Sequence, residues 1–185
     1  MDVGLAVSAS LLLRDNRNPV AVIYVGGPAS SKTTAADMFA DELTMVADEG
    51  VQHPLFYLSD SFTAAAFVSQ ASNVPADKLA KVDLLPKIQH KVLVTPELAP
   101  TFRGKDDEGK DDELVKIFKI ITRVLEGQGL MTDGGVQGRR GYRGDYLFAW
   151  IGCTTPFDQN VYMATHGTPI AIRSHRVLSW QGSTC

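Results

Sequence analysis

Gly26, Gly27, Lys32, Thr33 and Thr34 are the residues whose types and spacing suit a defined chemistry, within Gly26-Gly27-Pro28-Ala29-Ser30-Ser31-Lys32-Thr33-Thr34. Glycines let the backbone close on an anion, and successive N–H groups turned inward supply its hydrogen bonds. A lysine then reaches the outer phosphates, and the next hydroxyl binds magnesium. Against the spacing G-x-x-x-x-G-K-[ST], Gly26, Lys32 and Thr33 match, and Ser31 stands where the second glycine belongs. Glycine at that position relieves backbone strain, so Ser31 is one departure from the pattern. The competing interpretation is an ordinary strand-to-helix turn, N-capped by Ser30 or Ser31, with a solvated lysine.

Such a loop needs a strand before it and a helix after it. Residues 20–25, Val-Ala-Val-Ile-Tyr-Val, form an unbroken β-branched and aromatic run of the kind a strand buried on both faces shows. Residues 32–47 predict a helix with Ala36, Phe39, Ala40, Leu43 and Val46 or Ala47 on one stripe. Residues 91–97 predict another strand, running into a polar tip with Thr95 and Glu97. An acid there can hold the water shell of a magnesium ion or polarise an attacking water. Further buried strands are predicted at 53–58, ending at Ser59 and Asp60, at 146–153, ending in Thr154-Thr155-Pro156, and at 169–173.

Around these, residues 3–14 predict a lead-in helix with Leu5, Leu12 and Leu13 inward, and 64–71 a helix broken at Pro75. The charged run 103–113 reads as a solvated loop. Leu114, Ile117, Phe118, Ile121 and Leu125 then repeat at helical spacing up to Gly127-Gln128-Gly129. The glycine-rich stretch 130–143 carries Arg139, Arg140 and Arg143 and suits a β-hairpin or an exposed loop. A short helix is predicted at 160–165.

The sequence of 185 residues, 44% hydrophobic and 21% charged, suits one ordinary globular domain with a sizeable core. A formal charge of −3 offers no bulk attraction to nucleic acid, so any basic surface must be local. Cys153 and Cys185 form no C-x-x-C pattern and suggest a reduced intracellular protein, while His53, His90, His166 and His175 lack zinc-ligand spacing. No apolar run approaches the roughly 18 to 20 residues that span a bilayer. The apolar residues of 5–13 lack the basic lead and the cleavage site of a signal peptide, so a cytoplasmic location without a membrane partner is expected.

In this order the pieces resemble the AAA+ core of the phosphate-loop ATPases: loop, acid-tipped strand, the helix text Ile121-Thr122-Arg123-Val124-Leu125-Glu126-Gly127-Gln128-Gly129, a hairpin, then Ile151-Gly152-Cys153-Thr154-Thr155-Pro156. The helix and hairpin look like the branch that includes replicative helicases and enhancer-binding activators. The text Leu84-Leu85-Pro86-Lys87 and Pro96-Glu97-Leu98-Ala99-Pro100 is similar to primase-helicase-like ATPases of phages and integrated elements. The resemblance covers about 18–176 and departs from the family at Ser31, at the absent acidic pair, where Thr95 and Glu97 stand, and at the sensor asparagine, replaced by Thr155. It implies an α/β, three-layer P-loop NTPase sandwich with a mostly parallel sheet, in which the acid-tipped strand neighbours the loop strand. The implied organisation is a lead-in helix over 1–18, an ATPase core over 19–176 and an unpatterned tail over 177–185. The helical lid and sensor-2 arginine of the family have no counterpart, as in a fragment.

The implied ligands are ATP and Mg2+. Gly26, Gly27, Pro28, Ala29, Ser30, Ser31, Lys32, Thr33 and Thr34 would cradle the nucleotide, with Thr33 and Glu97 at the metal. Lys32, Glu97, Thr155 and Arg173 would be catalytic, Arg173 acting on a neighbouring subunit's nucleotide in a homo-oligomeric ring. Arg139, Arg140 and Arg143 would touch single- or double-stranded DNA, unless they pair with the acidic residues of 106–113. The expected function is ATP hydrolysis coupled to DNA remodelling or unwinding. Its rivals are a small-molecule kinase, with the hairpin arginines as its lid cluster, and a nucleotide-binding regulator that does not hydrolyse.

Overall fold

The computed structural model describes residues 2–13, 20–27, 31–38, 44–46, 52–69, 74–98, 119–134, 138–156 and 170–174. The charged run 103–113, the helix predicted at 160–165 and the tail beyond Ser174 lie outside the described residues. In chain order the elements are α1 (Asp2–Ser10), β1 (Ala21–Val25), α2 (Lys32–Asp37), β2 (Thr44–Val46), β3 (Gln52–Pro54), β4 (Phe56–Leu58), a 3-10 turn (Ala64–Ala66), α3 (Ala76–Val82), α4 (Leu84–Ile88) and β5 (Val92–Thr95). They continue with helical residues 119–125 (α5), β6 (Gly129–Gly134), β7 (Gly138–Arg143), β8 (Ala149–Thr154) and β9 (Ile170–Ser174).

Five strands form one sheet in the order β4-β5-β8-β1-β9, with every neighbouring pair parallel. The inner strands β1, β5 and β8 are buried along their whole length and are apolar runs of the sequence, because both sheet faces are covered there; Thr95 and Thr154 are their buried polar exceptions. All five residues of β1 are buried. Ala21, Ile23 and Val25 join Leu93 and Trp150 in a core with Leu85 and Ile88 of α4 and Ile121 and Leu125 of α5. Val22 and Tyr24 join Val94, Ile151 and Cys153 in a second core with Val7 of α1 and Ala36 of α2. Helices therefore lie against both faces, and β6 and β7 form a separate antiparallel hairpin.

Several expectations are corrected. The acid-tipped strand β5 does not neighbour β1, since β8 pairs with both and lies between them. The helix predicted over 32–47 is described only as far as the turn at Met38, and Thr44–Val46 is a strand paired with Gln52–Pro54, so its helical stripe does not extend there. The strand predicted over 53–58 is divided at Leu55, with β3 serving that small hairpin and β4 the main sheet. In α1 the inward residues are Val7, Ser8 and Ser10, whereas Leu5, Leu12 and Leu13 are more than half exposed. Two short hydroxyl side chains make this possible, because Ser8 Oγ and Ser10 Oγ donate back to the Gly4 and Val7 carbonyls and need no water. Among the described residues no helix is long and apolar enough to cross a membrane.

The strand order matters for ligand binding. After β1 the chain next enters this sheet at β4, beyond β8 and β5, whereas after β8 it next enters at β9, on the other side of β1. Connections that diverge in this way open a crevice at the C-terminal strand ends, where open α/β sheets bind ligands.

Candidate functional site

The loop after β1 starts in that crevice. The Gly26 N–H donates to the Thr154 carbonyl (3.2 Å), tying the loop to the end of β8. Pro28, Ala29 and Ser30 lie outside the described residues. Ser31 re-enters with φ 57° and ψ 22°, the left-handed conformation, directly before α2. An L-residue pays about 1–2 kcal/mol for that conformation, which glycine adopts without penalty. Ser31 thus has the backbone geometry that the second glycine of the spacing would supply. Left-handed and right-handed residues in succession turn neighbouring N–H groups into one concavity, a nest that accepts anions.

Lys32 follows and is half-buried, its Nζ donating to the Gly27 carbonyl across the loop (2.7 Å). Ala36 anchors α2 in the core, leaving Thr33 and Thr34 exposed. Beneath the helix, buried Cys153 donates its thiol to the Lys32 carbonyl (3.3 Å).

The end of β8 also holds the tip of β5. The Leu98 N–H donates to the Cys153 carbonyl (2.7 Å), and Leu98 is buried against Gly152, where a Cβ would overlap its side chain. Glu97 is thereby fixed in an exposed position on the turn between Thr95 and Leu98. Thr155, half-buried, directly follows β8. Residues 152–154 therefore connect the loop, Lys32 and the Glu97 turn. Thr95 is different: it is fully buried, and its hydroxyl accepts the Trp150 indole N–H (3.2 Å), which commits it to the core. Arg173 lies in β9, in register with Tyr24 of β1. Among the described residues no group of three or more His, Cys, Asp or Glu is placed to hold a metal ion.

The hairpin arginines divide by the two-residue pleat of β7. Arg140 and Tyr142 turn inward to Asp83, at the junction of α3 and α4, while Arg139 and Arg143 are exposed. Asp83 is fully buried and accepts the Ser69 N–H (2.8 Å), the Tyr142 hydroxyl (2.5 Å) and Arg140 Nη2 (2.6 Å). Burial would raise the Asp83 carboxyl, but the Tyr142 and Ser69 hydrogen bonds and the Arg140 charge outweigh it and hold the group below its ordinary value. Burial, and then the neighbouring carboxylate, push the Tyr142 phenol up. Arg140 is therefore a structural residue of the hairpin base rather than an open phosphate contact. Its partner among the described residues is Asp83, and the acidic residues of 106–113 lie outside them. The sequence signal for Asp83 was an acid set between Val82 and Leu84-Leu85. Comparison with protein-family models, with curated proteins and with solved structures finds no match to this chain.

Proposed function

We propose that this protein is an AAA+-like ATPase of the phosphate-loop type that binds Mg-ATP at the crevice beside β1 and couples its hydrolysis to work on DNA. The observation that carries the proposal is the left-handed Ser31 directly before Lys32, at the position where the phosphate-loop spacing requires glycine. A chain does not hold serine in that conformation without a cost, so the loop backbone is specified there against side-chain preference. The parallel sheet with helices on both faces supports the three-layer sandwich that belongs to the same proposal.

In this proposal backbone N–H groups of the loop other than those of Gly26, bonded to Thr154, and Pro28, which has none, cradle the phosphates, and Lys32 exchanges the Gly27 carbonyl for their charge. Thr33 would hold magnesium directly, with Glu97 reaching only the ion's water shell; the metal would neutralise charge on the phosphate oxygens and needs only one or two protein ligands. Glu97 accepts the proton of the attacking water, and Thr155 orients that water. Arg173 completes the site of a neighbouring subunit, a contribution worth roughly three to five orders of magnitude in rate for arginines in that role.

Steady-state turnover and nucleotide binding of Glu97→Gln test the assignment together. Turnover should fall by about 100-fold or more, as for loss of a positioned base, while Mg-ATP affinity is retained. Unchanged turnover would remove Glu97 from the mechanism, and lost binding in a folded variant would make it mainly a direct magnesium anchor rather than the base.

A further inference from the structure

Cys153 lies beneath the loop, in the core that α1 and α2 cover, on the same face of β8 as Ala149 and Ile151. Packing alone would be served there by another apolar side chain, but cysteine adds a donor. Its thiol donates to the Lys32 carbonyl in the first turn of α2 (3.3 Å), while its own carbonyl accepts the Leu98 N–H next to Glu97 (2.7 Å). One residue thus holds both the segment that carries Lys32 and Thr33 and the turn that carries Glu97. Tyr24 lies beside it in the β1–β8 register, and burial, then the Cys153 sulfur, push the Tyr24 phenol up. The first turn of α2 needs such a hold. Lys32–Asp37 is too short a helix to be stable by itself, and Ser31 makes no side-chain cap bond to it. Its placement therefore comes from packing on β8, through Ala36 in the core and Cys153 under Lys32.

We propose that Cys153 is a positioning residue for nucleotide hydrolysis, its thiol setting the first turn of α2 against the Glu97 turn. The inference rests on the nucleotide half of the proposed function, and Cys153 itself touches no phosphate in it. Binding tolerates a small displacement of α2, because Lys32 carries its charge on a flexible four-carbon stem. Turnover does not, because the metal ligand, the base and the water must align at once, and a displacement of about 1 Å costs roughly 100-fold in rate. An S–H···O bond is weak, so its value here lies in geometry rather than in stability.

Cys153→Ser and Cys153→Ala test the role, because the two replacements leave nearly the same space and only serine donates. The full chain of each is compared with the wild type for kcat of ATP hydrolysis, for Mg-ATP affinity by calorimetry and for melting temperature. Cys153→Ala should lower kcat by about 10-fold, as for a shift of a fraction of an ångström, with Mg-ATP affinity within about threefold of the wild type. Cys153→Ser should recover part of kcat. A packing role predicts the reverse order, since a buried hydroxyl that is not needed as a donor is costly. Cys153→Thr and Cys153→Val repeat the comparison in one shape at larger volume, and threonine should be the more active. Alanine at least as active as serine, valine at least as active as threonine, or loss of the fold in all four variants would each overturn the positioning role while the wild type still binds and hydrolyses Mg-ATP. A wild type that does neither would overturn the nucleotide reading, and this role with it.

Discussion

Arg140→Met removes the charge that faces Asp83 and keeps most of the apolar stem that carries it. Asp83 would remain fully buried with two donors, the Ser69 N–H and the Tyr142 hydroxyl, and no counter-charge. Breaking a buried pair from one side costs about 3–5 kcal/mol. The lower end applies here, because the Arg140 side chain is 14% exposed, so water can follow it in, and because its Nη1 is buried without a partner among the described residues. A loss of about 3 kcal/mol is a factor of about 150 in the unfolding equilibrium and lowers the melting temperature of a chain of this size by about 6–12 °C. Asp83→Asn in the same background should recover part of the loss, since the uncompensated charge is gone. A denaturant double-mutant cycle measures this coupling. The pH dependence has a definite sign. The folded-state value of Asp83 is held below the ordinary carboxyl value of about 3.9, so its contribution is present above that value and is lost as pH falls through the folded-state value. In Arg140→Met the acid loss should begin at a higher pH. A cost under about 1 kcal/mol, with an unshifted acid limb, would show that the pair behaves like one on the surface and does not anchor the hairpin.

Other substitutions probe the loop and the strand tips. Ser31→Gly removes a left-handed penalty of about 1–2 kcal/mol and adds about 0.5–1 kcal/mol of chain entropy. It should therefore leave stability level or raised by up to about 1.5 kcal/mol, with Mg-ATP binding kept, whereas Ser31→Val should lower both; equal tolerance of valine and glycine in thermal melts would contradict the left-handed assignment. Gly152→Ala inserts a methyl group against Leu98 and Ile23, so it should cost about 1–3 kcal/mol and reduce turnover through the Glu97 turn. Full stability with full activity would mean that Leu98 yields freely.

The parallel sheet was legible because strands buried on both faces leave unbroken apolar runs, as at Val22-Ile23-Tyr24 and Leu93-Val94, and strand type follows from local composition. Their order was not legible, since pairing across the chain is a tertiary choice, and so β8 entered between β1 and β5 unforeseen. The hairpin announced itself by its glycines, but the period-two division of Arg139, Arg140 and Arg143 depended on register, and Asp83 lies 57 residues from Arg140 in sequence. In α1 the leucines misled, because serines that bond their own helix carbonyls can be buried in place of apolar residues. The candidates Lys32 and Glu97 came from the loop spacing and a strand tip, and Thr155 from the family resemblance. That Thr95 serves the core could not be read without its Trp150 partner.

Isothermal titration of Mg-ATP into the wild-type chain and into Lys32→Ala bears most directly on the nucleotide site. Saturable binding near one nucleotide per chain is expected for the wild type, and Lys32→Ala, with its melting temperature unchanged, should lose it. Equal affinity in the two proteins, or no binding to the wild type, would contradict a phosphate loop at 26–34.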